Sequence, residues 1–325
     1  MTSGARRTSG EFELIARWFE RPVDDPGVLL GVGDDAALVE ADATLAVATD
    51  MLVEGVHFLP SIAPRRLGHR ALAVNLSDMA AMGARPRWFT LALSLPQADA
   101  AWVAEFAEGL HACAGAHGVS LIGGDTTSGP LCICIQMIGD VPQTLALKRS
   151  GAGIGDAIYV TGTLGDAAAG LELAQQAAAD GELPEPSESR QLLDRYEIPT
   201  PRIEAGLALR GLASAAIDVS DGLVADLSWI CAASDCAATI EVERLPLSTA
   251  LQNYAPQRAR TLALSGGDDY ELCFTAPADA PVEEAFAALD VPVTRIGTCT
   301  SGEGVRCVLD GVPMDPGKAG FEHFR

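Results

Sequence analysis

Six short apolar runs in this chain are each closed by a small residue and followed at once by aspartate. Such runs predict the ends of strands or helices, where side chains emerge at the rim of a core. Two carboxylates about 4 Å apart repel by roughly 4 kcal/mol at an effective dielectric of about 20. Because few histidines or cysteines lie nearby, the sequence predicts bound hard cations, Mg²⁺ or Mn²⁺. The six positions are Asp34 with Asp35, Asp50, Asp78, Asp125, Asp218 with Asp221, and Asp268 with Asp269.

The length of 325 residues allows two domains, each with its own core. The net charge of −22 argues against non-specific binding to nucleic acid, which requires a basic surface. Only two lysines occur, Lys148 and Lys318, and neither lies in a phosphate-binding P-loop motif. Composition therefore fits an acidic globular enzyme that is not a P-loop protein.

The eight cysteines include no CxxC pair and no cluster with histidine, which favours small buried side chains in a reducing cytosol. Cys132 and Cys134 alternate within an apolar run and are therefore predicted on one face of a strand. The first residues carry two arginines but no apolar stretch behind them, unlike a signal peptide. No window of about eighteen apolar residues occurs, which argues against a membrane span. We expect a cytoplasmic protein.

Helical and strand-like patterns alternate along the chain and predict a mixed α/β (α+β) fold with much antiparallel pairing. A Gly-rich link near residue 150 separates two such regions, so we place the domains at 1–149 and 150–325. Residues 179–191, rich in Pro, Glu and Ser, predict a surface excursion. Helices are predicted at 11–20, 64–83, 99–118, 165–178, 202–212 and 222–234, and strands at 28–32, 44–50, 87–95, 119–124, 131–139, 157–162, 215–219, 237–242, 269–276, 293–299 and 305–311.

The first acidic position imitates a dinucleotide-binding fingerprint, because Gly31, Gly33 and Ala36 have the spacing of GxGxxA. Asp34 and Asp35 stand where a pyrophosphate would bind and would repel it, so a Rossmann site is not supported. In an extended segment the two carboxylates point to opposite faces, and only one can face a metal cluster. An acidic turn without a ligand is the alternative.

Thr49 and Asp50 close the next predicted strand, and a hydroxyl beside a carboxylate is a pattern for Mg²⁺ coordination. His57 follows seven residues after Asp50 and could contact a phosphate, although a lone histidine is more often structural. Asn75 and Asp78 lie three residues apart, hence on one face of a helix. The alternative for this pair is a helix cap.

Four further segments combine polar groups with glycine. Gly124 lets the backbone approach a ligand closely, with Asp125 behind it. Arg149 precedes a Gly-rich turn and is either a phosphate ligand or a solvated charge. Residues 161–170 join a strand to a helix and could offer helix amides to a phosphate, although packing glycines are the favoured interpretation. The last segment ends a strand and begins a helix with two carboxylates and a hydroxyl, at Asp218, Ser220 and Asp221.

With these motifs, the chain resembles the thiamine-monophosphate kinases, a family in the superfamily of aminoimidazole ribonucleotide synthetase and selenophosphate synthetase. The resemblance runs nearly end to end, through GEFELIARWF, GVGDDAAL, ATDMLVEGVHF, AVNLSDMAAMGARP, LIGGDTTSGPL, KRSGAGIGD, IDVSDGL, SGGDDYELCF and GFEHF. It implies ATP-dependent phosphorylation of thiamine monophosphate to thiamine diphosphate, with several Mg²⁺ ions. It also implies a homodimer of two-domain chains, whose N-terminal halves bind metal and ATP and build a shared β-barrel.

Carried over position by position, the resemblance implies metal ligands at Asp35, Thr49, Asp50, Asp78, Asp125, Asp218 and Asp221. It implies ATP contacts at Gly124, Asp125, Arg149 and Ser220. Substrate contacts fall on His57, Asp268 and Phe321. No general base or covalent nucleophile is expected, because the acceptor phosphate is already largely dianionic.

The sequence departs from the family pattern at two positions. Ala48 stands where a metal-binding serine often precedes the Thr-Asp pair, and Asp268 stands where a longer glutamate is usual. One alternative function is that of another ATP-using superfamily member. Selenophosphate synthetases usually carry a reactive cysteine early in the chain, whereas the first here is Cys113, and hydrogenase-maturation proteins use a C-terminal cysteine, whereas this sequence ends in GFEHFR. A non-catalytic nucleotide-binding regulator is the alternative from another class.

Overall fold

The computed structural model describes residues 11–32, 36–180, 187–317 and 320–321 of the chain. Contacts divide the described residues into two compact units. The first unit is Met1–Leu76 with Pro86–Asp140, and the second is Ser77–Arg85 with Val141–Arg325. The first acidic position of the sequence, Asp34 with Asp35, lies outside the described residues.

The first unit is built around a four-stranded sheet. In chain order its elements are α1 (Glu11–Trp18), β1 (Val28–Leu30), β2 (Leu38–Val39), β3 (Thr44–Val53), α2 (Pro64–Ala81, of which residues 77–81 belong to the second unit), β4 (Arg85–Leu95), α3 (Ala100–His117), β5 (Ser120–Ser128) and β6 (Cys132–Val141). The sheet order is β3–β6–β4–β5, with β4 and β5 parallel. Helix α1 contacts both α3 and β5. Strands β1 and β2 pair separately as an antiparallel ribbon.

Helix α3 shows how local sequence sets the limits of an element. Asp99 caps its start, because the carboxylate accepts hydrogen bonds from the backbone amides of Ala101 and Trp102 at 3.0 and 3.4 Å. Gly118 ends it in the left-handed conformation, at φ 63°. The helix predicted at 99–118 is confirmed.

The second unit is built around a seven-stranded sheet. Its elements are β7 (Ala157–Thr161), α4 (Asp166–Asp180), α5 (Ser187–Glu197), α6 (Ile203–Ala208), β8 (Ala215–Asp218), α7 (Leu223–Ser234), β9 (Ala237–Glu241), α8 (Thr249–Tyr254), α9 (Ala259–Ser265), β10 (Leu272–Ala276), α10 (Val282–Phe286), β11 (Val293–Thr300), β12 (Gly304–Leu309) and β13 (Val312–Met314). The order is β13–β12–β9–β11–β7–β10–β8. Every neighbouring pair is antiparallel except β12 with β9.

The core of the second unit lies between this sheet and helix α7. Ile158 and Ile217 from the sheet are buried with Leu227 and Ile230 from the helix. Strand β7 is buried along its whole length, and its sequence is accordingly apolar rather than alternating up to its last residue, Thr161. The expected class, with much antiparallel pairing, is confirmed here.

Three expectations about individual elements need correction. Helix α5 begins inside the expected surface excursion at 179–191, and its Leu192 and Leu193 are buried. The short helices α8, α9 and α10 were not predicted, because five to seven residues are too few to display a helical period. Cys132 and Cys134 do share a face of β6, yet they are half-buried, whereas the other six cysteines are buried.

None of the described helices is long and apolar enough to cross a membrane.

Candidate functional site

In the second unit, strand β8 leads into a turn, residues 218–222, that we call the acidic turn. Its shape is set by a carboxylate that was not predicted from the sequence. Strand β8 ends at Asp218 and α7 begins at Leu223, as predicted. Oδ2 of the buried Asp226 accepts hydrogen bonds from the three backbone amides of residues 220–222, at 3.0 to 3.1 Å. These three bonds hold the turn that leads into α7 in one conformation.

Asp218 is buried at the start of this turn. Burial raises the pKa of its carboxyl group and the charge of Asp221 adds to the shift, whereas the Ser77 hydrogen bond and the charge of Arg149 oppose it. The Ser77 hydroxyl donates to Asp218 Oδ2 at 2.7 Å. Because Ser77 lies in the last turn of α2, this bond brings the end of that helix, with Asp78, to the acidic turn.

The three carboxylates of the turn repel one another. Burial, followed by the charges of Asp218 and Asp221, raises the pKa of Asp226 to about 7. Such a concentration of negative charge is unfavourable unless a cation neutralises it. The electrostatics of the turn therefore favour a bound cation.

A second loop, residues 266–270, lies against the acidic turn through backbone hydrogen bonds. The amide of Asp268 donates to the carbonyl of Ser220, and the amide of Tyr270 to that of Val219, both at 2.8 Å. Asp268 and Tyr270 both have left-handed backbones, at φ 68° and 51°. Each such non-glycine residue costs on the order of 1–3 kcal/mol and persists only where its surroundings impose it.

A buried ionic network below this loop supplies that constraint. Glu271 is fully buried and accepts hydrogen bonds from Arg195, Arg202 and Thr161, each at about 2.7 Å or less. Burial alone would raise the pKa of Glu271, but the Arg202 hydrogen bond and the two guanidinium charges lower it overall. A Cβ on Gly162 would lie 2.1 Å from Glu271 Oε1, so only glycine fits beside this carboxylate. One sequence signal pointed to this network: Glu271 is a glutamate within an apolar strand pattern.

The start of helix α4 is also occupied from within the protein. Fully buried Asp269 accepts hydrogen bonds from the amides of Gly165 and Ala167, at 2.6 and 3.2 Å. A Cβ on Gly165 would lie 2.7 Å from the backbone nitrogen of Ala263. The favoured interpretation of residues 161–170, packing glycines, is confirmed, and the phosphate-binding alternative is wrong for these amides.

Two more candidate residues of the second unit adjoin the acidic turn. The amide of Phe321 donates to the carbonyl of Asp221 at 3.2 Å, and its side chain is 50% exposed. Arg149 is exposed, its carbonyl accepts a hydrogen bond from Ser234, and its charge acts on Asp218. The second unit thus brings together seven of the expected site residues: Asp78, Arg149, Asp218, Ser220, Asp221, Asp268 and Phe321.

In the first unit, Thr49 and Asp50 lie on β3 beside the buried Asn75 of α2. The Asn75 side chain accepts a hydrogen bond from the Asp50 amide at 3.1 Å and donates to the carbonyl of Ala71 at 3.0 Å. Asn75 and Asp78 both lie inside α2 rather than at its start, so the helix-cap alternative is wrong for both. Asn75 instead ties β3 to the helix next to Asp50.

His57 has a defined ring orientation. Its Nδ1 accepts a hydrogen bond from the backbone amide of Val53 at 3.0 Å, which places the proton of the neutral imidazole on Nε2. The Arg70 side chain donates to the His57 carbonyl at 3.3 Å. Nε2–H is therefore a hydrogen-bond donor, as an anionic ligand requires, while Nδ1 has a structural role.

Gly124 and Asp125 lie on β5, opposite Leu91 and Ala92 of β4. Gly124 has φ 151°, and a Cβ there would lie 1.9 Å from the Leu91 carbonyl oxygen. A cavity of about 40 Å³ borders both residues, and its other walls include Ile15, Phe19, Val32, Leu91 and Leu121. The carboxylate of Asp125 is exposed beside it.

The first unit does not bring all its candidate residues together. Strands β3 and β5 are the outer strands of the four-stranded sheet. Neighbouring strands in a sheet lie about 4.8 Å apart, and β5 is the third strand from β3. Thr49 and Asp50 are therefore roughly 14 Å from Asp125 across the sheet. One chain therefore does not place these two groups on the same ion through its first unit.

The donors at the acidic turn are oxygens, from aspartate and serine, which suits Mg²⁺ rather than a softer metal. Among the described residues, no three carboxylate, imidazole or thiol groups are arranged around a single ion position. Mg²⁺ commonly uses only one or two protein carboxylates, with water and substrate phosphates as its other ligands. The residues present fit Mg²⁺ of that kind.

Residues 33–141 match the N-terminal domain, and residues 153–310 the C-terminal domain, of the AIR synthase related proteins. The chain belongs to the AIR synthase related protein family. A relative from Salmonella typhimurium (strain LT2), named thiamine-monophosphate kinase, is 48% identical over 97% of this chain and 98% of its own length. The resemblance described from the sequence is thus confirmed.

Solved members of the AIR synthase related family share this fold. The crystal structure of thiamine-monophosphate kinase from Stenotrophomonas maltophilia K279a has a TM-score of 0.84 and 47% identity, over 90% of this chain and 93% of that one. A structure described as AaThiL complexed with AMPPCP and TMP has a TM-score of 0.78 and 34% identity, over 90% and 91%. The expected two-domain α/β fold of the family is confirmed.

Proposed function

We propose that this chain transfers the γ-phosphoryl group of ATP to thiamine monophosphate and forms thiamine diphosphate. The observation that carries the proposal is the acidic turn at 218–222. Backbone hydrogen bonds hold the loop that contains Asp268 next to this turn. Relatives with the same activity in their name match nearly the whole chain, and one solved relative is described as a complex with AMPPCP and TMP. AMPPCP is an analogue of ATP, which supports ATP as the donor.

We propose that the chain binds several Mg²⁺ ions, with ligands at Thr49, Asp50 and Asp125 in the first unit, at Asp78, Asp218 and Asp221 in the second, and at Asp35 outside the described residues. Bound Mg²⁺ would neutralise the charge that builds up on the transferring phosphoryl group. Ser77 holds the Asp218 carboxylate in one orientation, and Asp226 does the same for the backbone of the turn. The chain thus supplies positioned oxygen ligands.

The remaining residues bind and orient the two phosphate-containing substrates. Arg149 offers a guanidinium group to ATP phosphate, near Asp218, and Gly124 and Ser220 are the other ATP contacts we propose. The Nε2–H of His57 is a donor for the acceptor phosphate. That phosphate attacks the γ-phosphorus directly, in line with the leaving oxygen, and needs no general base because it is already largely dianionic.

Asp268 and Phe321 suit the organic part of thiamine monophosphate. Their backbones bond to successive residues, Ser220 and Asp221, so both flank the acidic turn. Thiamine carries a cationic thiazolium ring, which a carboxylate and an exposed aromatic face both attract. This chemistry supports their assignment as substrate contacts.

We also propose that the active form is a homodimer in which the four-stranded sheets of two chains form a shared barrel. Leu45, Val47 and Met51 alternate along the outer strand β3 and are 41%, 58% and 55% exposed in the single chain. An outer strand with such a face pairs readily with a second copy. The separation of Asp50 from Asp125 within one sheet supports the same arrangement. A monomeric mass in sedimentation equilibrium would contradict it.

The decisive experiment is a turnover assay with ATP, Mg²⁺ and thiamine monophosphate, in which thiamine diphosphate is measured by chromatography. We expect product with thiamine monophosphate and none with ATP alone. The Asp221→Asn variant should bind less Mg²⁺ and turn over more slowly, and Asp99→Asn, which alters a helix cap in the first unit, serves as the control. Binding of ATP without any turnover would favour the non-catalytic regulator instead.

A further inference from the structure

Tyr270 contacts Asp268, the carboxylate assigned to the substrate, through its own side chain. The Tyr270 hydroxyl donates a hydrogen bond to Asp268 Oδ1 at 3.1 Å. The two residues are separated by one position in the chain, and both have positive φ angles, 68° for Asp268 and 51° for Tyr270. This pair of left-handed residues folds the backbone sharply, which allows the tyrosine side chain to reach back to residue 268.

The backbone on both sides of the pair is fixed. The amides of Asp268 and Tyr270 donate to the carbonyls of Ser220 and Val219, both at 2.8 Å. Between them, Asp269 is fully buried and bonded to the amides at the start of α4. Immediately after them, Glu271 is buried in its network with two arginines. The tyrosine ring therefore projects from a backbone that has little freedom to move.

A left-handed backbone is unusual for a bulky residue such as tyrosine. Strained residues of this kind cluster at ligand sites, where the surrounding structure maintains them. Here the strained backbone places the Tyr270 hydroxyl against one oxygen of the Asp268 carboxylate, beside the acidic turn. The same carboxylate is shorter than the glutamate usual in the family, so its reach toward a ligand depends on how it is oriented.

We propose that Tyr270 is a positioning residue for thiamine monophosphate: its hydroxyl holds Oδ1 of Asp268 so that Oδ2 faces the substrate. The inference rests on the proposed function, because it takes Asp268 as a substrate contact. The last torsion of an aspartate side chain has a broad and roughly two-fold preference, which does not by itself define one orientation of the carboxylate. A hydrogen bond to one oxygen selects one orientation before the substrate arrives, and substrate binding then requires less ordering.

The test is the Tyr270→Phe variant, which removes the hydroxyl and keeps the ring. We expect the KM for thiamine monophosphate to rise about fivefold to tenfold, which is less than the full loss of a hydrogen bond to a charged group would give, because the hydroxyl acts on the substrate only through Asp268. The kcat and the KM for ATP should stay close to wild type. The matched control is Tyr254→Phe, because Tyr254 also donates to a carboxylate, Glu172 Oε2 at 3.2 Å, elsewhere in the second unit. Both variants should keep the wild-type unfolding midpoint.

A double-variant comparison separates positioning from a merely structural role. Asp268→Ala should raise the KM for thiamine monophosphate, and adding Tyr270→Phe to it should change nothing further, because the hydroxyl acts through that carboxylate. An unchanged KM in Tyr270→Phe, with a raised KM in Asp268→Ala, would overturn the positioning role and leave the proposed function standing. If Asp268→Ala leaves the KM for thiamine monophosphate unchanged, the positioning role of Tyr270 is overturned as well. If the wild-type protein neither binds nor phosphorylates thiamine monophosphate, both the positioning role and the proposed function are overturned.

Discussion

Replacing Glu271 by glutamine should destabilise the second unit strongly, although the two side chains have nearly the same shape. Glu271 is fully buried, and each of its oxygens accepts two hydrogen bonds: Oε1 from Arg195 and Arg202, and Oε2 from Arg202 and Thr161. Glutamine keeps only one of the two acceptors. Whichever way its amide turns, two of these bonds are lost and an NH₂ group faces their donors.

The magnitude follows from those two bonds. A hydrogen bond to a charged group is worth about 1.5–3 kcal/mol, and removing one partner of a buried ion pair typically costs about 3–5 kcal/mol. We therefore expect the free energy of unfolding to fall by about 3–5 kcal/mol. For a unit of this size, each kcal/mol lowers the unfolding midpoint by roughly 2–4 °C, so the midpoint should fall by roughly 6–20 °C.

Thermal and urea unfolding, followed by circular dichroism, measure this effect. The control is Glu172→Gln, because Glu172 also pairs with an arginine through two bonds, to Arg258 at 2.9 and 3.0 Å. That pair is partly exposed, with 30% of the glutamate and 56% of the arginine side chain accessible, so water replaces the lost bonds. The control should lose less than about 1 kcal/mol. Equal losses in the two variants would refute the reasoning.

The pH dependence gives a second check on the same carboxylate. The pKa of Glu271 is lower in the folded protein than its ordinary value of 4.5. The ionised carboxylate therefore stabilises the fold above pH 4.5, and this stabilisation is lost as the pH falls through the pKa of the folded state. The difference between wild type and Glu271→Gln should therefore be complete at neutral pH and should shrink below about pH 4. A difference that stays constant into the acid range would contradict the assignment.

Three further outcomes are expected. Mg²⁺ with ATP should raise the unfolding midpoint above that in EDTA, because cations relieve the carboxylate repulsion and ligand binding adds stability; equal midpoints would refute the metal hypothesis. Asp78→Asn and Asp125→Asn should each lower turnover by roughly two orders of magnitude and leave the fold intact; full activity in Asp78→Asn would exclude it as a ligand. With γ-labelled ATP and no acceptor, the protein should retain no acid-labile label, because Nδ1 of His57 is bonded to Val53 and Nε2 carries the proton. His57→Ala should mainly weaken binding of thiamine monophosphate, and label that disappears in this variant would demonstrate a phosphoenzyme.

The parts of the site that were predicted are those encoded locally. In IDVSDGL, an apolar strand, two aspartates and a glycine follow one another directly, and the structure ends β8 and begins α7 there. Asp50 and Asp125 were expected at the ends of strands, but they lie inside β3 (Thr44–Val53) and β5 (Ser120–Ser128), so the local patterns identified these strands and misplaced their ends. Runs of apolar residues and helix-starting residues are sufficient for such features.

The parts that were missed depend on residues far apart in the chain. Glu271 is 76 positions from Arg195 and 69 from Arg202, and a single sequence does not reveal such a pairing. Helix α5 was missed for another reason: its polar composition resembles a loop, whereas Leu192, Leu193 and Tyr196 are buried in the folded unit. The sheet order, with β3 and β5 on opposite edges, is likewise a property of the assembled unit.

The carboxylate of Asp269 bonds to amides at the start of α4, and the carboxylate of Asp226 bonds to the amides of the turn that leads into α7. Free phosphate is attracted to helix amino ends by unbonded amides and by the helix dipole. Here the amides of Gly165 and Ala167 and those of residues 220–222 are already bonded to buried carboxylates, so these amides are not available to a phosphate. Simple anions such as sulfate and inorganic phosphate should therefore bind poorly at these amides. Under the proposed function, recognition of the two phosphate-containing substrates therefore depends on side chains and on bound cations rather than on these amides.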